Sequence, residues 1–155
     1  MNKEILIICR GGGDLATGIV HRLFRAGYQV LILETAEPAA IRRQVSFCEA
    51  VYEGTATVEG VTAERIYTAK KQAVEEVLQR GRIPLLVDPD GRSIEVLKPD
   101  VVVDAIIAKK NLGTYKEMAP LVIGIGPGFV AGKDVHLVVE SMRGHNLARI
   151  LETGS

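Results

Sequence analysis

CRGGGDLATGIVHRLFRAGYQVLILE, residues 9–34, sets three consecutive glycines between an apolar run and an amphipathic one, and that junction decides the fold. Upstream, EILIIC (4–9) is a continuous, isoleucine-rich run of the kind buried on both faces of a parallel sheet. Downstream, Leu15, Ile19, Leu23 and Phe24 recur at helical spacing, Arg22 and Arg25 lie off that face, and Gly27 stops the helix. YQVLILE (28–34) reads as a second strand. A strand, glycine turn, helix and strand in that order make a right-handed crossover between parallel neighbours.

The loop aligns as Gly11-x-Gly13-x-x-Ala16, the dinucleotide fingerprint with alanine in the third place. The first glycine permits a tight turn, the second lets pyrophosphate reach the backbone, and the small third residue lets helix and strand pack closely. The helix N-terminus adds free N–H groups and partial positive charge. Glu34 lies 21 residues beyond Gly13, where a carboxylate accepts hydrogen bonds from ribose hydroxyls. The same charge repels a 2′-phosphate, so NAD or another dinucleotide fits better than NADP. The competing reading is a glycine turn with no ligand.

Asp14 has two readings, a cap on the helix N-terminus or an acid facing the phosphates. Arg10 has three: a counter-charge to Asp14, a phosphate ligand, or a solvated side chain. Gly12 completes the loop. Arg42 and Arg43 stand where a 2′-phosphate partner would, or on a solvated surface.

Further along, Pro38 is expected to open a short helix through Arg43, and EAVYEG (49–54) to form a third strand. ATVEGVTAERIYTA reads as a strand end or a loop, and AKKQAVEEVLQRGR (69–82) as a helix. IPLLVD (83–88) and VVVDAI (101–106) read as strands, joined through the turn DPDG (88–91). PLVIGIGPG and VHLVVES add two more strands, and RGHNLARIL (143–151) reads as a closing helix. The expected fold is α/β: a Rossmann-like, mostly parallel sheet at the N-terminal part, with additional, partly antiparallel strands late in the chain. One domain spans 1–155, and the abrupt ending at ETGS is compatible with the N-terminal part of a longer protein.

Composition narrows the function classes. The 155 residues suit one hydrophobic core. Nineteen basic and nineteen acidic residues leave no global field for nucleic acid. Cys9 and Cys48 stand far apart and the three histidines show no ligand spacing, so neither a disulfide framework nor a metal site is expected. No apolar run reaches the length of a membrane span, and a reducing cytoplasm is the expected compartment.

Outside the glycine loop, Asp104 ends an apolar strand as either a functional acid or a structural acceptor. Lys109 and Lys110 follow it, facing an anionic ligand or solvent. GIGPGFVAGKD lacks both a following helix and a Walker ending, and reads as a turn between strands. Glu140, Arg143 and His145 gather acid–base groups at a strand-to-helix junction; His21 reads as a surface residue and His136 as structural.

RGGGDLATGIVHRLFRAGYQVLILE, RRQVSFCEAVYEG, VVVDAIIAKKNLGT and APLVIGIGPGFVAGKDVHLVVESMRGHNLARI together resemble the YqeB-type proteins of selenium-dependent molybdenum hydroxylase systems. These are similar to the Rossmann domain of XdhC-type accessory factors. The resemblance implies maturation or cofactor supply for a molybdenum hydroxylase, with that enzyme as partner. It makes a molybdopterin dinucleotide an alternative to NAD at Arg10, Gly11, Gly12, Gly13, Asp14, Glu34, Asp104 and Lys109. An NAD-dependent oxidoreductase domain and a non-catalytic nucleotide-sensing module are the competing functions. The oligomeric state stays open, with a homodimer compatible with the apolar late strands.

Overall fold

A computed structural model of the chain describes residues 5–38, 40 and 45–140, together with the strand Ile150–Leu151. The apolar run after the N-terminus forms β1 (Leu6–Arg10), the helical stripe forms α1 (Asp14–Arg25), and β2 is Gln29–Glu34. A 3-10 turn at Phe47–Glu49 leads into α2 (Ala50–Glu53), followed by β3 (Thr55–Val58) and β4 (Val61–Ile66). Then come α3 (Lys71–Gln79), β5 (Ile83–Val87), α4 (Ser93–Leu97) and β6 (Val101–Asp104). A 3-10 turn at Lys116–Met118 precedes β7 (Leu121–Ile125), with β8 (Leu137–Val139) and β9 (Ile150–Leu151) after it.

The nine strands among the described residues form one sheet in the order β3-β4-β5-β2-β1-β6-β7-β8-β9. Pairing is parallel from β4 to β8, and the outermost pair at each edge is antiparallel. The chain steps outward from β1 through β2 on one side, then returns and builds β6, β7 and β8 on the other. The reversal falls between β1 and β6, where Arg10 pairs in register with Asp104.

Side-chain alternation along the strands divides the core into two layers. Ile7, Cys9, Val30 and Ile32 pack with Ala16 and Val20 of α1 and with Phe47 and Val51. Ile8, Leu31, Leu33 and Val102 pack on the opposite face with Val74 and Val77 of α3 and Ile94 of α4. Helices on both faces of a mostly parallel sheet make the doubly wound, Rossmann-like α/β architecture.

Three local expectations are corrected. Residues 49–53 are helical and Gly54 caps them, because burial of Phe47, Cys48, Ala50 and Val51 follows a helical stripe, not strand alternation. Residues 55–66 form a hairpin that turns at Glu59 and Gly60, both at positive φ, the geometry that matches the twist of paired strands. The closing helix expected at 143–151 ends instead in a strand, since Ile150 and Leu151 pair antiparallel with β8. The remainder of that stretch, 143–149 with Arg143 and His145, lies outside the described residues, as do Arg42 and Arg43. Within the turn region between β5 and β6, α4 is an additional element, started by Asp88, whose carboxylate accepts from the amides of Arg92 and Ser93.

Candidate functional site: a cleft at the reversal of strand order

In an open α/β sheet, ligands sit at the carboxyl ends of the strands where the strand order reverses. A cleft of about 590 Å³ lies at that place. Its walls are the glycine loop with the first turn of α1, the segment after β2, the turn after β5, and Ala105–Ile107 with Leu112 after β6.

The three glycines answer to three different constraints. Gly11 has φ +107°, and a Cβ there would lie 2.9 Å from the carbonyl oxygen of Ala105, so backbone and packing both require glycine. Gly12 is buried, its carbonyl accepting from the Cys48 amide and from the Thr17 hydroxyl. Gly13 is different: its backbone is extended at φ −75°, and a Cβ would meet nothing within 4 Å. Among the described residues, neither strain nor packing calls for glycine at this position, which lines the cleft.

Gly13 is the N-cap of α1 and carries no side-chain cap. The amides of Gly13, Leu15 and Ala16 find no acceptor among the described residues, and point their N–H groups out of a twelve-residue helix. Asp14 does not cap the helix as one expectation had it. It is already the first helical residue, and its Oδ1 accepts from the Ser46 hydroxyl at 2.6 Å. Its charge still favours the helix dipole from the first turn.

Glu34 closes the loop from the end of β2. Its Oε1 accepts from the Gly12 amide at 2.8 Å and its Oε2 from the Thr35 amide at 2.6 Å. A carboxylate has about four acceptor positions, so two remain for hydroxyls in the cleft that Glu34 lines.

Arg10 is neither solvated nor free to hold a phosphate. Strand alternation sends it to the α3–α4 face, where it is 2% exposed. Its guanidinium donates to the Thr114 hydroxyl at 2.7 Å and to the carbonyls of Pro89 and Leu112 at 2.8 and 3.2 Å. Asp104, its neighbour across the strands, is 1% exposed and accepts from Thr114 and from the Ile106 amide. Asp104 is therefore a structural acceptor that, through Thr114, ties the loop after β6 to Arg10. Lys109 and Lys110 are exposed on that loop and stand outside the cleft lining.

The expected turn in GIGPGFVAGKD is present between β7 and β8: Gly124 makes room for the Phe129 ring and Gly128 for the backbone of Lys110. His136 is structural, its Nδ1 accepting from the Val122 amide, and His21 sits on α1 with Nε2 against the Glu59 carbonyl. Both cysteines are buried. Burial first, and then neighbouring carboxylates, push the Cys48 thiol up to about 11 and Cys9 further still. Both stay thiols at neutral pH and are poor nucleophiles.

Sequence reasoning missed the far wall of the cleft. Thr35, Glu37, Pro38, Asp88 and Pro89 follow the ends of β2 and β5, and only the rule about strand carboxyl ends points to them. It also missed Ile107, a β-branched residue at φ +59° on the lining, a conformation that costs about 1–3 kcal/mol and gathers at functional sites. Asp14, Glu34, Glu37 and Asp88 stand on its walls, and among the described lining residues Arg10, already engaged by Thr114, is the one cation.

Sheet order, crossovers and cleft place the chain in the class of doubly wound, Rossmann-like α/β domains. Over 149 residues, 96% of its length, it is 49% identical to a protein of Escherichia coli (strain K12) described as "Uncharacterized protein YqeB". The chain spans 27% of that relative's length. No family model matches the chain. No solved structure matches it.

Proposed function

We propose that this chain is the nucleotide-binding unit of an accessory protein that matures a molybdenum hydroxylase in the cytoplasm. The observation that carries the nucleotide half is Gly13: an unstrained, unpacked glycine at the start of a twelve-residue helix, at the reversal of strand order. A phosphate fits the space that a side chain would fill, and the amides of Gly13, Leu15 and Ala16 are donors for it. Glu34 is the acceptor for ribose hydroxyls. NAD and a molybdopterin dinucleotide both present a pyrophosphate and a ribose to these groups. The accessory half rests on the resemblance of the long sequence strings to YqeB-type proteins alone; the relative at 49% identity shares that name and its description carries no role.

A hydride-transfer domain is less well supported. No histidine, lysine, tyrosine or cysteine stands among the described lining residues to relay a proton. Two experiments test the proposal. Thermal shift against NAD, NADP, AMP, CDP and GDP is expected to show stabilisation that Gly13→Val removes. Deleting the gene in a host that makes a molybdenum hydroxylase is expected to yield that enzyme with its molybdenum content depleted. Full metal loading after deletion overturns the accessory role.

A further inference from the structure

The proposed site has an asymmetry that bears on ligand size. A dinucleotide on a doubly wound sheet lies across the reversal point, one mononucleotide over each half of the sheet. Here, among the described residues, every lining group comes from β1, the glycine loop and α1, from the end of β2 and the segments after β2 and β5, or from the loop after β6. None comes from β7, β8 or the turn between them.

The loop after β6 accounts for this. Three links fold it back across the strand ends. The Thr114 hydroxyl joins Asp104 to Arg10, and Arg10 also holds the Leu112 carbonyl, which brings Leu112 onto the cleft wall. Asn111 fixes the bend by exchanging two hydrogen bonds with Thr114. On its outer side, the Lys110–Asn111 backbone packs so closely on Gly128, after β7, that a Cβ there would lie 2.9 Å from it. The loop after β6 is thus packed against the turn that follows β7, and among the described residues neither that turn nor β7 reaches the cleft lining.

Resting on the nucleotide reading above, we infer that the cleft recognises a single nucleoside diphosphate. One phosphate sits on the N-terminus of α1 and the ribose lies against Glu34. Whatever group is carried on the far phosphate projects past Leu112 and makes no specific contact with the described residues. A dinucleotide, NAD or molybdopterin-type, is therefore held by one half only.

Titration calorimetry on the full chain tests this with three matched pairs: ADP and NAD, CDP and nicotinamide cytosine dinucleotide, GDP and nicotinamide guanine dinucleotide. For the base that binds, the diphosphate and its dinucleotide are expected to agree within about threefold, since the second half gains no contacts. Gly13→Val is expected to weaken both at least about tenfold, a loss of roughly 1.4 kcal/mol. A dinucleotide about tenfold tighter than its own diphosphate, with both still sensitive to Gly13→Val, overturns the single-nucleotide inference and leaves the phosphate site standing. Absence of binding by all six overturns both.

Discussion

The Gly12 amide donates to Oε1 of Glu34 at 2.8 Å, joining the glycine loop to the end of β2 across 22 residues of chain. Glu34 thus holds the loop in shape before any ligand arrives, and the Thr35 amide on its other oxygen fixes the rotamer. Glu34→Ala is expected to cost about 1–2 kcal/mol in urea unfolding, because a buried amide loses its acceptor. Glu34→Gln keeps an acceptor oxygen and should recover most of that stability. Equal stability for Glu34→Ala and wild type would show that the loop does not depend on this bond.

Gly11 and Gly13 make a pair of opposite expectations. Gly11→Ala is expected to lose more than about 2 kcal/mol, since it combines a disfavoured positive φ with a clash against the Ala105 carbonyl. Gly13→Ala is expected to change stability by no more than about 0.5 kcal/mol, as its Cβ points into open space. Chemical denaturation of the two variants side by side reads the difference directly.

Thr114→Val tests the tie between β1, β6 and the loop. It removes the hydroxyl that joins Arg10 Nη1 to Asp104 Oδ2 and leaves both charged groups with an unmet hydrogen bond in a buried place. A loss of about 3 kcal/mol is expected. Hydrogen exchange should quicken in residues 105–114 more than in β1 itself. Uniform protection across the two segments would show that Thr114 is not the tie.

The first crossover was legible in sequence because its signals agree: an apolar run, glycines, a helical stripe and a second apolar run. Local signals failed where tertiary packing decides. EAVYEG carries strand formers, yet its neighbours Phe47 and Cys48 share a helical stripe with Ala50 and Val51. The hairpin at 55–66 is hidden because Glu59, not glycine or asparagine, takes the first left-handed turn position. In the site, the glycine loop and Glu34 were readable, as a fingerprint has fixed spacing. Arg10 was misread because its role depends on which face of β1 it occupies and on acceptors about 80 to 104 residues away.

Away from the cleft, Glu64 sets a pH expectation. Burial pushes its carboxyl up, but hydrogen bonds from Arg80 and Arg82 outweigh that and hold it below the usual glutamate range. Its folded value lies below its unfolded one, so its contribution is complete above the unfolded value of about 4.3 and is lost as pH falls through the folded value. Both arginines are about half exposed, so the pair is worth no more than about 1 kcal/mol. Glu64→Gln is expected to lower stability at pH 7 by up to that amount and to match wild type at pH 2. An undiminished gap at pH 2 would assign the effect to packing.

The central claim is that the N-terminus of α1, opened by Gly13, holds a nucleotide phosphate, and Gly13→Val tests it most directly. Calorimetric titration of wild type and variant with ADP, CDP and GDP, beside their melting temperatures, separates binding from folding. The expected result is saturable binding of at least one nucleotide by wild type, and affinity at least about tenfold weaker in a variant that melts within a few degrees of it. Unchanged affinity in the folded variant would contradict the claim.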